Sequence, residues 1–141
     1  MKTVIETPDE FQHETSVQVR VDDINIGGHL SNDAILRISL EAQLQFFKSQ
    51  GWHENSKENP GVIMKSVSID YISQAYHGDT LIIKTAADNA RKYDFTLIHL
   101  LENKGTGSVV AKVKAHFFCF DYTAQKIRSI PQNFKALFLS K

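Results

Sequence analysis

The stretch Asp23-Ile24-Asn25-Ile26-Gly27-Gly28-His29-Leu30-Ser31-Asn32 joins two kinds of sequence that need different backbones. Before it, Thr15 to Asp23 alternates, with Val17, Val19 and Val21 on one parity and Gln18, Arg20 and Asp22 on the other. Period two with β-branched residues predicts a half-buried strand. Asp23 has the valine parity and is expected to point inward, with Asp22 in solvent. Within the stretch, Gly27-Gly28 interrupts regular structure. Ser31, Asn32 and Asp33 then offer capping oxygens and a negative first turn, which suit a helix N-terminus.

The spacing predicts a helix from Asn32 to Gln50, closed by Gly51, and roughly 28 Å long at 1.5 Å per residue. Ile35, Ile38, Ala42 and Phe46 form one apolar row, and Leu36, Leu40, Leu44 and Phe47 form another beside it. Arg37, Glu41, Gln45 and Lys48 form the polar face. Two adjacent rows make a buried arc wider than a helix on a flat surface needs. Trp52 to Pro60 reads as a polar connection. Four strand-like segments follow, Val62 to Ser73, Thr80 to Ala87, Tyr93 to Glu102 and Ser108 to Asp121. They are separated by His77-Gly78-Asp79, Asp88 to Lys92 and Asn103-Lys104-Gly105. In the first, Ile63, Val67, Ile69 and Tyr71 share a parity. In the last, Val109, Ala111, Val113, Ala115, Phe117 and Cys119 share one face, and Lys112, Lys114 and His116 the other. A short helix is expected over Asn133 to Leu139. Hairpin-length turns imply an antiparallel sheet. The expected fold is therefore α+β, with a curved antiparallel sheet of about five strands wrapped around one long helix.

A length of 141 residues fits one domain, spanning 1–141. The apolar fraction of 42% and charged fraction of 23% are those of an ordinary globular chain. A formal charge of zero argues against a nucleic-acid partner. No run of 18 apolar residues is present, so no membrane span is expected, and Met1 to Phe11 does not read as a secretory signal. The single cysteine, Cys119, fits a reducing compartment, which predicts a cytoplasmic protein. His53, His77, His99 and His116 lack metal-ligand spacing, so neither a metal nor another cofactor is expected.

The opening stretch resembles the hotdog-fold thioesterases of the 4-hydroxybenzoyl-CoA thioesterase-like superfamily, in which a strand ends in Asp-x-Asp-x-x-Gly-His-Val-Asn-Asn before a central helix. Gly28-His29, Asn32 and the helix match that pattern. Glu41-Ala42 resembles a small-residue segment of that helix, and Gly78-Asp79-Thr80-Leu81 resembles its Gly-Asp-x-Leu turn. Three positions depart. The second aspartate, the family's catalytic one, falls on Asn25. The first asparagine of the Asn-Asn pair falls on Ser31, and a frequent tyrosine falls on Ile35. A branch that looks like this chain also reads Asp-Ile-Asn-x-Gly-x-His-Leu. The resemblance implies hydrolysis of an acyl-CoA or acyl carrier protein thioester at a site between subunits, in a homodimer or dimer of dimers.

Such hydrolysis needs a polarised carbonyl, an aimed water and a base. Backbone N–H groups near the helix start, at Gly28, His29 and Leu30, are the expected oxyanion donors, and Gly27 and Gly28 allow close approach of substrate. Asn25 is not basic but can hold a water or the carbonyl. Asp23, His29 and Glu41 are the groups that can titrate usefully. Leu30, Asn32 and Glu41 complete the expected substrate contacts, with Asp23, Asn25 and His29 as the catalytic set. Each has a plainer reading. Asp23 can cap the turn, His29 can bond a carbonyl, and Glu41 can pair with Arg37 or Gln45 on a solvated face. Lys112, Lys114 and His116 are a solvated face or a patch for coenzyme A phosphates. Two other activities compete with hydrolysis. An enoyl hydratase or dehydratase is echoed by Asp23, Asn25 and His29, and a non-catalytic acyl-thioester binder by the missing carboxylate.

Overall fold

The computed structural model of the protein describes residues 4–53, 59–132 and 134. The helix α1 spans Asn32–Ser49. The strands are β1 His13–Gln18, β2 Gly61–Tyr71, β3 Thr80–Asp88, β4 Asp94–Asn103, β5 Val109–Asp121 and β6 Lys126–Ile127. They form one sheet in the order β1-β3-β4-β5-β2, every described pairing being antiparallel, and β6 adds to β5. The expected helix over Asn133 to Leu139 lies outside the described residues except for Phe134.

Three sequence expectations shift, each for a local reason. The first strand ends at Gln18, and Val21–Asp23 forms a 3₁₀ turn. Alternation therefore stops at the turn. Val19 is buried, whereas Val21 is 73% exposed. In β2 the register shifts between Met64 and Ser66. A bulge of one residue inverts the parity between the two parts of the strand, so Val62 and Met64 before it pack on the core, as Ile69 does after it, while Ile63 is exposed. A second shift, between Leu101 and Glu102 opposite the start of β5, leaves Val110 and Ala111 both buried. Val110, rather than Val109, is the inward residue.

The helix buries Ile35, Ile38, Ala42, Phe46 and Phe47 together with Ser39 and Gln43. Leu40 and Leu44 of the second apolar row are 42% and 44% exposed. The buried arc is wide, but it is turned toward Ser39 and Gln43. Beneath it the core divides into two clusters, one around Phe46, Phe47, Trp52 and Phe95, the other around Ile35, Ile38, Leu81 and Val113. Buried Thr85 and His99 share a 2.8 Å hydrogen bond on adjacent strands where the clusters meet. Burial, with His13 nearby, pushes the His99 imidazole down to about 4.

Candidate active site

The stretch from Asp23 to Asn32 closes on itself as a small loop. Asn25 N–H donates to His29 O at 2.8 Å, and Gly28 N–H donates to Asn25 O at 2.9 Å. The side-chain oxygen of Asn25 accepts from Gly27 N–H at 3.0 Å and from His29 N–H at 3.2 Å. Asparagine favours such turns because its short carbonyl reaches the backbone two residues on. Gly28 takes φ +82°, a conformation that disfavours other residues. The loop is tied to the segment after β2 by Leu30 N–H donating to Ala75 O at 2.8 Å, and the His29 ring stands edge-on to Tyr76 at 5.3 Å.

A cavity of about 300 Å³ opens between this loop, the start of α1 and the end of β2. Asn25, His29 and Leu30 line it from the loop, and Asn32 and Ile35 from the helix. Tyr71, Ile72, Ser73 and Gln74 line it from the chain leaving β2, and Val110 from β5. Of the residues expected from sequence, the structure brings together Asn25, His29, Leu30 and Asn32. Asp23, Gly27, Gly28 and Glu41 are not in the lining. The lining contains no carboxylate, and His29 is its imidazole.

Asp23 is 6% exposed and fully engaged. It accepts Arg20 N–H at 2.9 Å and pairs with Arg37 at 3.1 Å, while its own carbonyl accepts Ser31 N–H at 2.9 Å. It is inward as expected, but through the 3₁₀ turn rather than a strand, and it anchors the loop to the helix. Glu41 is exposed and accepts Gln45 Nε2–H at 2.8 Å, the plainer of its two readings. Asp79 likewise holds its turn, accepting Tyr76 N–H at 2.9 Å and Asn103 Nδ2–H at 3.1 Å.

The expected oxyanion donors need correction. The N–H groups of Gly28, His29 and Leu30 are all used within the protein. The first turn of a helix leaves its leading N–H groups without intrahelical partners. Ser31 makes no side-chain cap, and Asn32 N–H has no partner among the described residues. Asn32 is among the residues lining the cavity, and its N–H lies at the positive end of the helix dipole. The Asn25 amide nitrogen is likewise unpartnered among the described residues. Tyr71 O–H donates to Asn32 O at 3.3 Å and fixes the rim. Ser73 and Gln74 carried no sequence signal as site residues, and the bulge hid Val110.

Among the described residues no cluster of three His, Cys, Asp or Glu is placed to hold a metal, and no helix is long and apolar enough to cross a membrane. The family model for the thioesterase-like superfamily matches residues 19–138. No curated protein matches the chain in sequence. A thioesterase-superfamily protein from Jannaschia sp. CCS1 superposes with a TM-score of 0.86 at 20% identity, over 94% of this chain and 84% of that one. The 1,4-dihydroxy-2-naphthoyl-CoA thioesterase of Synechocystis gives 0.80 at 19%, over 89% and 94%. An aspartate-to-asparagine variant of 4-hydroxybenzoyl-CoA thioesterase, complexed with 4-hydroxybenzoyl-CoA, gives 0.78 at 17%, over 89% and 96%. All three share the sheet-around-helix fold with this chain.

Proposed function

This chain belongs to the thioesterase-like superfamily, and from that premise we propose that it hydrolyses an acyl thioester, of coenzyme A or of acyl carrier protein, in the cavity at the start of α1. The observation that carries the reading is the convergence of three groups on one cavity: the unpartnered Asn32 N–H, the Asn25 amide and the His29 imidazole.

In the proposed reaction the thioester carbonyl points at Asn32 N–H, which stabilises the charge that grows on its oxygen. The Asn25 amide donates to the carbonyl or holds the water. His29 takes a proton as the water oxygen bonds to the carbonyl carbon. The C–S bond then breaks, and the proton passes from the imidazole to the departing sulfur. The products are a free acid and a free thiol.

The exposed face supports a homodimer. The sheet ends on β2, whose outer edge has no strand partner among the described residues. Val67 and Tyr71 of β2 are exposed apolar groups, as are Leu40 and Leu44 of α1. A second copy pairing there would cover them and wall the cavity at Tyr71. Sedimentation at micromolar concentration tests this, a monomer being the contrary result. Buried Cys119 suits the reducing cytoplasm.

Incubation with a panel of aliphatic and aromatic acyl-CoAs, read by thiol release, tests the activity. Crotonyl-CoA read by loss of enone absorbance separates hydration from hydrolysis. Tight binding without thiol release points to a binding protein instead.

A further inference from the structure

A second cavity, about 400 Å³, lies at the β3–β4 turn and is lined by Asn89, Ala90, Arg91, Thr96 and His116. Its floor is organised by a carboxylate that hydrolysis at the first cavity does not use. Asp94, the first residue of β4, is 5% exposed. The Arg91 guanidinium beside it holds its carboxyl below the usual carboxylate range, with His116 assisting. Arg91 Nε–H donates to both Asp94 oxygens at 3.1 Å, and its Nη2 makes a closer contact to Oδ2. An ionised carboxylate only accepts, so His116 Nε2 carries the hydrogen it donates to Asp94 Oδ2 at 2.6 Å. That fixes the ring and leaves Nδ1 for a ligand.

The groups this arrangement presents are predominantly donors. A guanidinium has five N–H groups, and Asp94 occupies only those of Nε and one of Nη2. The rest of Arg91 faces solvent, its side chain 72% exposed. Asn89, at φ +48°, adds an amide to the cavity wall, and Thr96, opposite His116 in the β4–β5 pairing, adds a hydroxyl. Lys114 shares the outward face of β5. Asp94, the carboxylate beneath, is already spent on Arg91 and His116. Asp88, opposite Thr96 on β3, flanks the cavity without lining it.

We propose that this cavity is a binding site for a phosphate-class anion, held by the free edge of Arg91 with His116, Asn89 and Thr96 around it. Planar guanidinium groups match phosphate oxygens in pairs, and such charge-assisted bonds are the strong ones. When His116 is protonated, Nδ1 also donates and the ring carries a second positive charge. The site lies on the outward face of β5, toward the end of the strand remote from Val110 and the first cavity, so it stands independently of the hydrolytic reading.

The test is an NMR titration of the full chain at about pH 6, following the His116 ring signals. Inorganic phosphate is expected to give a saturable shift at His116 that chloride at equal ionic strength does not. Arg91→Gln is expected to weaken it about tenfold, the usual scale for one bond to a charged group. Asn89→Gly, which suits the positive φ, is expected to weaken it less and serves if the first variant misfolds. Adenosine 3′,5′-bisphosphate binding more tightly than phosphate would assign the site to a nucleotide end, and equal binding to free phosphate. Absence of a saturable shift, the same shift with chloride (an adventitious ion only), or full-strength binding in both variants would overturn the proposal.

Discussion

Asn25 Oδ1 accepts the backbone N–H of His29 at 3.2 Å, so the residue at the position of the family's carboxylate shapes the loop that carries the imidazole. The same oxygen accepts from Gly27 N–H, which leaves the amide nitrogen as the group Asn25 can offer a substrate. In the proposed reaction, holding the loop and meeting the substrate are thus separate duties of one side chain.

Asn25→Asp keeps the accepting oxygen and adds a base. The expected outcome is an unchanged melting temperature with thiol release raised about tenfold, below the full range for a well-placed general base. Asn25→Ala removes both loop hydrogen bonds and is expected to cost about 1 kcal/mol in urea unfolding, with a fall in kcat. A rise in activity in the alanine variant would contradict the role given to the amide.

Asp23 and Arg37 form a pair with a buried acid and a half-exposed base. Arg37→Met leaves the carboxylate buried without its cation. Stability is expected to drop by about 1 kcal/mol, a figure kept small because Arg37 is half solvated. Asp23→Asn is expected to leave thiol release near that of the natural protein, because Asp23 does not line the cavity. Loss of activity in Asp23→Asn with the fold intact would return Asp23 to the catalytic set.

The sequence carried much of this, unevenly. The helix start at Asn32, the succession of strand, helix and four strands along the chain and the loop around Gly27-Gly28 follow from periodicity and turn chemistry, and the structure has them. Bulges did not announce themselves. Parity alone puts Ile63 and Val109 on the wrong face, because one extra residue in a ladder inverts it without altering composition. The site was half legible for a related reason. Asn25, His29, Leu30 and Asn32 are contiguous, whereas Tyr71, Ser73, Gln74 and Val110 reach the cavity only through strand pairing. Asp23 is legible as a carboxylate of the motif, but its engagement by Arg20 and Arg37 is a tertiary fact.

His99 makes stability depend on pH. Its folded value is about 4, against 6.5 for the free side chain, because burial disfavours the charged ring. Between those values the unfolded chain binds a proton that the folded chain refuses. Stability is therefore full above about pH 6.5 and falls as pH drops toward 4, by roughly 3 kcal/mol for this group. Burial lowers His13 as well and adds to the same window. Asp94, whose carboxyl is held low, loses its contribution only below the ordinary carboxylate range. Urea unfolding from pH 7 to 4 checks this, and His99→Gln is expected to flatten the slope. An equally steep slope in that variant would exclude His99 as its source.

Gly61 lies under the Tyr122 ring. A Cβ there would sit 2.3 Å from Tyr122 Cε2, too close for any contact, so the ring must move. Gly61→Ala is expected to destabilise by about 1–3 kcal/mol. Adding Tyr122→Ala, at an exposed ring, is expected to recover most of that loss. Additive losses in the double variant would show that the clash is not the cause.

The central claim is that the cavity at the start of α1 hydrolyses thioesters with His29 as base. The most direct measurement is kcat for thiol release by the natural protein and His29→Gln, on the best acyl-CoA of the panel, with substrate binding measured alongside. The account predicts a fall of about a hundredfold or more in kcat with binding retained. Equal turnover by the two proteins, or no turnover by either on any substrate that binds, would contradict it.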